Sequence, residues 1–268
     1  MRIIVPVKQV PETNAVRMDE QTGTMVREGV EAIVNPLDLY AIETALRLRD
    51  ARGGRVTAVS MGPAAADKAV REAISMGCDD GVLLTDQAFA GSDTWATSYT
   101  LAAAIRKLGR FDLVCCGERA TDGDTGQVGP GIAAFLELPA VTYVGAVDAV
   151  DDGHIRVRRL VETGHEVLDA DMPCVLTVVK EVGAPRLPTL RGKQRARAAD
   201  VPRWGAGDLD VEPDKLGLSG SPTRVVNIFR PTVARTCEML TAGDDPAAEA
   251  AADRFVAFLR QKQLLVHE

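Results

Sequence analysis

The residues best suited to chemistry lie in one stretch, Gly117 to Pro130 (GERATDGDTGQVGP), set between the apolar run Leu113–Cys116 and the helix-like segment Ile132–Leu136. It reads as strand, loop, helix. Its glycines let backbone amides come close to a ligand, and amides converging at a helix N-terminus form an anion site. The chemistry to expect is a cradle for a nucleotide phosphate or pyrophosphate; the plainer alternative is an ordinary strand-to-helix turn. For a dinucleotide, Gly123, Asp124, Thr125, Gly126, Gln127 and Val128 are the working residues. The run supplies amides, and the Thr125 and Gln127 side chains add hydrogen bonds to phosphate or ribose. Asp124 cannot face a phosphate without repulsion, so it orients the loop or accepts from a hydroxyl. Thr94 and Thr97, close together near the start of another helix, can face the same cavity and receive the rest of a pyrophosphate.

Other chemistries find little support. Five cysteines without CxxC spacing argue against a disulfide framework and a zinc site, and the three histidines have no metal-like spacing. Cys115 and Cys116 are neighbours in an apparent strand, so they point to opposite faces and serve packing. A net charge of −7 disfavours nucleic acid, which is bound by neutralising its phosphates. An anion must then be held by local amides and helix dipoles, each contact worth ~0.3–1 kcal/mol. No stretch approaches the ~18 uninterrupted apolar residues of a membrane span. The N-terminus runs straight into Ile3-Ile4-Val5 with no signal-peptide pattern, so a cytoplasmic location is expected.

The elements that must position the loop follow from pattern. Ile3–Val7 is a short apolar run of the kind buried in parallel sheets, and Lys8–Thr13 follows its carboxyl end, where open α/β sheets place ligands. Residues 19–31 are polar and read as an irregular surface excursion. Asn35-Pro36 starts a helix, with asparagine accepting from the free first-turn amides, and Leu39, Ile42, Ala45 and Leu46 keep helical spacing until Gly53-Gly54. Strands follow at Arg55–Ser60, Val82–Leu84, Asp112–Cys116 and Leu138–Val144. Between them lie helices containing Ala69–Ile74 and Ala96–Ile105, the latter capped within Ser92-Asp93-Thr94. This alternation predicts an α/β fold with a doubly wound, mostly parallel sheet. Ile155–Val161 and His165–Leu168 form an added antiparallel hairpin, and Pro173–Val179 returns to a buried strand. Residues 185–199 carry five positive charges and no acid, either a solvated segment or an interaction surface. Trp204–Gly220 reads as linker or wrapped tail, and a last helix begins at Asp245-Pro246. We expect a domain over 1–204 and a C-terminal arm over 205–268.

Beyond this pattern the chain resembles the β subunit of electron transfer flavoproteins from end to end. The resemblance is carried by Val7-Lys8-Gln9-Val10-Pro11-Glu12-Thr13, Asn35-Pro36, Val59-Ser60-Met61-Gly62-Pro63, Arg71-Glu72-Ala73 with Met76-Gly77, and Asp122–Pro130, in the family's order. It implies a sheet domain of adenine-nucleotide-binding type and electron transfer without covalent catalysis. It also implies a heterodimer with an α subunit, which carries the shuttling flavin. Ordinary members hold a structural AMP in the β subunit; bifurcating and nitrogen-fixation-associated members hold a second FAD there. Phe89–Tyr99, Asp122–Pro130 and Gly220–Val226 are similar to the second class, so FAD is expected, with AMP as the alternative.

By the same resemblance Asn35, Ser60, Met61 and Ala120 surround the adenine end, with Pro6 and Lys8 at the exit of the first strand. Glu181–Lys193, within the segment 181–199, resembles the family's recognition loop for partner dehydrogenases, and Leu190 stands where the family places a protruding leucine. The family's Asn-Glu-Pro-Arg-Tyr is replaced by Val182–Leu187, in which Pro185 and Arg186 remain. NADH, and ferredoxin or flavodoxin, are the further partners implied for a bifurcating member. A universal-stress-type nucleotide switch and an adenylyl-transferring enzyme are the rival readings, and the signatures of both are missing.

Overall fold

The computed structural model describes residues 1–12, 17–18, 25–26, 32–226 and 237–265. They fall into two compact units, Met1–Asn227 and Ile228–Glu268.

The first unit runs β1 (Arg2–Pro6), β2 (Gln9–Pro11), β3 (Arg17–Met18), β4 (Met25–Val26), β5 (Ala32–Val34), α1 (Asp38–Arg52), β6 (Arg55–Met61), α2 (Asp67–Met76) and β7 (Asp80–Leu84). It continues with α3 (Thr94–Leu108), β8 (Leu113–Gly117), α4 (Val128–Leu136), β9 (Ala140–Asp151), β10 (His154–Val161), β11 (Gly164–Asp171) and β12 (Cys174–Val178). It closes with α5 (Leu190–Ala198), β13 (Arg203–Trp204) and α6 (Gly217–Gly220). Nine strands form the main sheet in the order β11-β10-β9-β12-β8-β1-β6-β7-β13. Every pairing from β9 to β13 is parallel, and β10 runs antiparallel to both β9 and β11.

The parallel strands are apolar on both sides because helices cover both faces. One face packs Ile3, Val5, Leu113 and Leu176 against Ile42 and Leu46 of α1, Val70 and Ile74 of α2 and Ala196 of α5. The other packs Ile4, Val59, Val114 and Val175 against Leu101 and Ile105 of α3 and Ile132 of α4. Cys115 lies on the first face and Cys116 on the second, as strand alternation requires. The doubly wound α/β expectation is met.

Four local expectations change. The 19–31 excursion contributes β4, paired antiparallel with β3; its remaining residues lie outside those described. Helix α4 begins at Val128, four residues before the expected start, and takes in Gly129-Pro130-Gly131. First-turn amides have no helical partner, so a proline there costs no hydrogen bond. The fifth strand does not stop at Val144. β9 continues to Asp151, and its outer half pairs with β10 beyond the reach of β12, which explains its mixed polarity.

Finally, residues 205–220 take the wrapped-tail alternative. Leu209 and Leu216 are buried with the α3 face, and the Glu212 amide donates to Tyr99 Oη at 2.9 Å. The first compact unit therefore extends past residue 220. In the second unit, α7 (Asp245–Gln261) starts where expected, with Asp244 accepting from the Ala247 amide at 2.9 Å and Pro246 in the first turn.

Candidate nucleotide site

The chain lays β1, β6 and β7 side by side in one direction, then returns to place β8 on the other side of β1. The carboxyl ends of β1 and β8 thus flank the topological switch point, the crevice in which open α/β sheets bind ligands. Pro6 ends β1 and is buried; Lys8 follows it into solvent. Gly117 ends β8, and a Cβ there would lie 2.5 Å from Asp38 Oδ1 and 2.9 Å from the Leu37 backbone, so only glycine lets α1 approach this closely.

Asn35 ties the crevice together in a way that differs from the expected cap. Its side chain, 1% exposed, makes no cap bond to α1. Nδ2 donates to the Arg119 carbonyl at 2.9 Å and to Asp38 Oδ1 at 2.8 Å, and Oδ1 accepts from the Thr121 amide at 3.2 Å. Asparagine has both donors and an acceptor, and the loop after β8 competes with the helix start for them. Asp38 Oδ2 accepts from the Lys8 amide at 2.7 Å. Burial raises the Asp38 pKa to about 7, against the opposing bonds from Asn35 and the Lys8 amide. Sequence reasoning missed Asp38, because an acid in a helix's first turn reads as an ordinary dipole partner.

The loop after β8 is shaped by ion pairs and backbone. Lys8 Nζ lies 2.6 Å from Asp122 Oδ1, and Arg119 Nε lies 3.1 Å from Asp124 Oδ1. Exposed pairs of this kind contribute little stability, ~0–1 kcal/mol each, but they fix where the acids point. The Asp124 amide donates to the Ala120 carbonyl at 2.8 Å. Asp124 and Gly126 adopt φ of +51° and +64°, left-handed conformations in the loop that leads into α4. Gly123, Asp124, Thr125 and Gln127 are exposed, with Gly126 and Val128 half-buried.

The two nearby helix starts differ. At α4, no side chain caps the first turn. At α3, Asp93 Oδ1 already accepts from the Trp95 and Ala96 amides at 2.9 and 3.0 Å, and the Thr97 amide bonds the Asp93 carbonyl. An incoming phosphate would meet a carboxylate at the α3 start. Thr94 and Thr97 therefore have side chains to offer there, while the expected seat on first-turn amides belongs to α4. Thr94 Oγ1 donates to Gln127 Oε1 at 2.9 Å, joining the two starts.

Ser60 and Met61 sit at the carboxyl end of β6, beside β1, where the Val7 amide bonds the Val59 carbonyl at 2.8 Å. Ser60 is fully buried, and its Oγ has no partner among the described residues. A buried hydroxyl without a partner costs free energy, so it fits a position that a polar ligand atom completes. Together with the uncapped α4 start, it makes the donor set suitable for an adenine nucleotide. Among the described residues no group of acids, histidines or cysteines could hold a metal ion.

The residues expected to dock a partner lie elsewhere. The Arg186 amide and Nε donate to Glu43 Oε2 at 3.0 and 2.8 Å, and Nη1 to Asp50 Oδ2 at 2.9 Å. Arg47 grips the same segment through the Val182 and Ala184 carbonyls. Burial pushes the Glu43 pKa up, but bonds from Arg186 and Arg47 outweigh it and leave the carboxyl below its usual range. Pro185 is half-buried, whereas Leu187 and Leu190 are 85% and 82% exposed. Leu187 carried no signal in the sequence beyond its neighbours.

The family model described as the electron transfer flavoprotein domain matches residues 22–209. The chain is 46% identical over 255 residues to the electron transfer flavoprotein subunit beta of Thermoanaerobacterium thermosaccharolyticum, covering 95% of this chain and 97% of that one. It is 43% identical over 266 residues to the caffeyl-CoA reductase-Etf complex subunit CarD of Acetobacterium woodii, covering 99% and 100%. To protein FixA of Azorhizobium caulinodans it is 43% identical over 274 residues, covering 98% and 96%. With these matches spanning the sheet, the crevice and the segment anchored on α1, the chain belongs to the electron transfer flavoprotein family as a β subunit.

Proposed function

We propose that this β subunit binds FAD in the crevice between β1 and β8 and works in a heterodimer with an electron transfer flavoprotein α subunit. It passes electrons between NADH or acyl-CoA-type dehydrogenases and other acceptors by flavin-based bifurcation, with ferredoxin or flavodoxin as the low-potential acceptor. The observation that carries this reading is the uncapped start of α4 behind the Asp124–Gly126 stretch, set at the switch point of the sheet.

The α4 dipole and the amides of Gly123–Val128 would take the pyrophosphate, with Thr94, Thr97, Thr125 and Gln127 side chains bonding phosphate or ribose oxygens. Asn35, Ser60, Met61 and Ala120 would enclose the adenine end, and the Ser60 hydroxyl would gain the partner it lacks. Pro6 closes the floor at the end of β1, while Lys8 and Arg119 hold the loop acids away from the anion. FAD, when bound, would supply the redox chemistry, and the residues named here would hold and orient it. The resemblance of Phe89–Tyr99, Asp122–Pro130 and Gly220–Val226 to the bifurcating class supports FAD over AMP in this reading.

Segment 181–199, with Leu190 at the exposed start of α5 and Pro185 and Arg186 in its stem, would dock the dehydrogenase. Counting the nucleotides released from the denatured heterodimer tests the cofactor assignment. Two FAD per heterodimer are expected. One FAD with one AMP would overturn it in favour of a non-bifurcating subunit with structural AMP and the FAD on the α subunit.

A further inference from the structure

Asp93 uses its two carboxylate oxygens for different purposes. Oδ1 caps α3 through the Trp95 and Ala96 amides. Oδ2 accepts from a distant segment, taking the Thr223 amide at 2.9 Å and Thr223 Oγ1 at 2.7 Å. The Asp93 amide in turn donates to Ser221 Oγ at 2.8 Å, and that hydroxyl donates to the Gly217 carbonyl at 2.7 Å. The same segment is pressed against residues 88–90. The Leu218 amide bonds the Ala90 carbonyl, and Gly217, at φ +57°, lies so close that a Cβ would fall 2.9 Å from the Ala90 carbonyl oxygen. Between residues 87–90 and 218–224 lies a polar cavity of about 740 Å³, lined by Gln87, Ser219, Ser221, Thr223 and Arg224.

Capping alone does not require aspartate here, since serine, threonine or asparagine would serve as well. What aspartate alone offers is two acceptor oxygens and no donor turned towards the Thr223 amide. We propose that Asp93 is a positioning residue that clasps Ser221–Thr223 across the start of α3 and so holds the wall of the polar cavity. Thr94, the next residue, bonds Gln127 of the nucleotide loop, so the clasp and that loop share one helix start. Opening the clasp frees the cavity wall at its hydroxyl-bearing end while leaving the sheet beneath untouched. In its consequence for ligand retention the proposal rests on the nucleotide reading above; in its consequence for the segment itself it does not.

The test compares the full chain, in complex with the α subunit, as wild type, Asp93→Asn, Thr223→Val and the double variant. Asparagine keeps the α3 cap and turns an amide donor against the Thr223 amide. Hydrogen exchange over residues 221–226 should rise about tenfold in Asp93→Asn, the change expected when a hydrogen bond to a charged group is lost. Exchange over residues 98–108 of α3 should stay as in wild type, and the double variant should exceed Asp93→Asn little, because both changes break one clasp. Unchanged exchange at 221–226, or an equal loss of protection along α3, overturns the clasp. The second readout is retention of FAD and of AMP, each added to nucleotide-free complex and followed by release after dilution. Faster release in Asp93→Asn is expected, and equal release rates overturn the role in holding the cavity wall. Wild-type complex that retains neither nucleotide would refute the cofactor reading, while the exchange result would still decide the clasp.

Discussion

Replacing Asp38 with asparagine should remove a pH dependence that the buried carboxyl imposes on the whole domain. In the folded chain its pKa is raised from 3.8 to about 7, with burial as the main cause. Between these values the folded state keeps the proton and the unfolded state has lost it. The unfolded chain then binds fewer protons, so stability falls as pH rises. The contribution is fully present below the unfolded pKa, declines by about 1.4 kcal/mol per pH unit, and is lost once pH passes the folded pKa near 7. Over the full shift that amounts to about 4 kcal/mol, of which roughly 3 kcal/mol falls between about pH 5 and pH 7.

Asparagine is nearly isosteric and does not titrate. It can accept from only one of the two donors that face Asp38, the Lys8 amide or Asn35 Nδ2, and should cost about 1–3 kcal/mol at pH 5 for the bond it loses. Urea unfolding of both proteins at about pH 5 and about pH 8 measures the difference directly. The deficit of Asp38→Asn should shrink by roughly 3 kcal/mol, and can reverse sign, on going to the higher pH. A deficit that is the same at both pH values would refute the argument that Asp38 is protonated in the folded protein.

Ser60→Ala should act in opposite directions on stability and binding. Without nucleotide, deletion of the unpartnered hydroxyl should stabilise the chain by about 1 kcal/mol in urea unfolding, whereas FAD and AMP titrations should show weaker binding. A loss of stability in the nucleotide-free variant would mean that the hydroxyl already has a partner. Gly126→Val places a β-branched residue at φ +64°, at a cost of about 1–2 kcal/mol, and should empty the site of the purified protein. Unchanged nucleotide content would return the loop to an ordinary turn. Leu190→Ala should slow electron exchange with a docked dehydrogenase while nucleotide content stays constant; equal transfer rates in stopped-flow mixing would contradict the docking role.

The sheet was legible because strands buried on both faces leave an unambiguous trace. Ile3–Val7 and Leu113–Cys116 are apolar runs, and Cys174–Val178 is interrupted only by Thr177; all are too short for helices. The start of α4 was not, since Gly129-Pro130-Gly131 resembles a turn and only the absence of first-turn hydrogen bonds makes it tolerable in a helix. Asn35 shows the limit of local rules. Asn-Pro predicts a cap, yet the carboxamide serves Arg119 and Thr121, more than 80 residues away. The α3 cap is expected only within Ser92-Asp93-Thr94; the structure assigns it to Asp93, whose second partner, Thr223, lies 130 positions along the chain, and no spacing rule reaches that far. Asp38 escaped notice for the same reason: its burial depends on β1 and Gly117 closing over it.

The anchorage of residues 182–186 on α1 divides that segment into parts that can vary separately. Arg186 and Arg47 hold its stem through Glu43, Asp50 and two backbone carbonyls, while Leu187 and Leu190 reach into solvent and support nothing beneath them. Substitutions at the tip are therefore nearly free of folding cost, whereas those in the stem are not. A scaffold built this way can change the chemistry of its exposed tip at two or three positions while the stem and the crevice stay as they are.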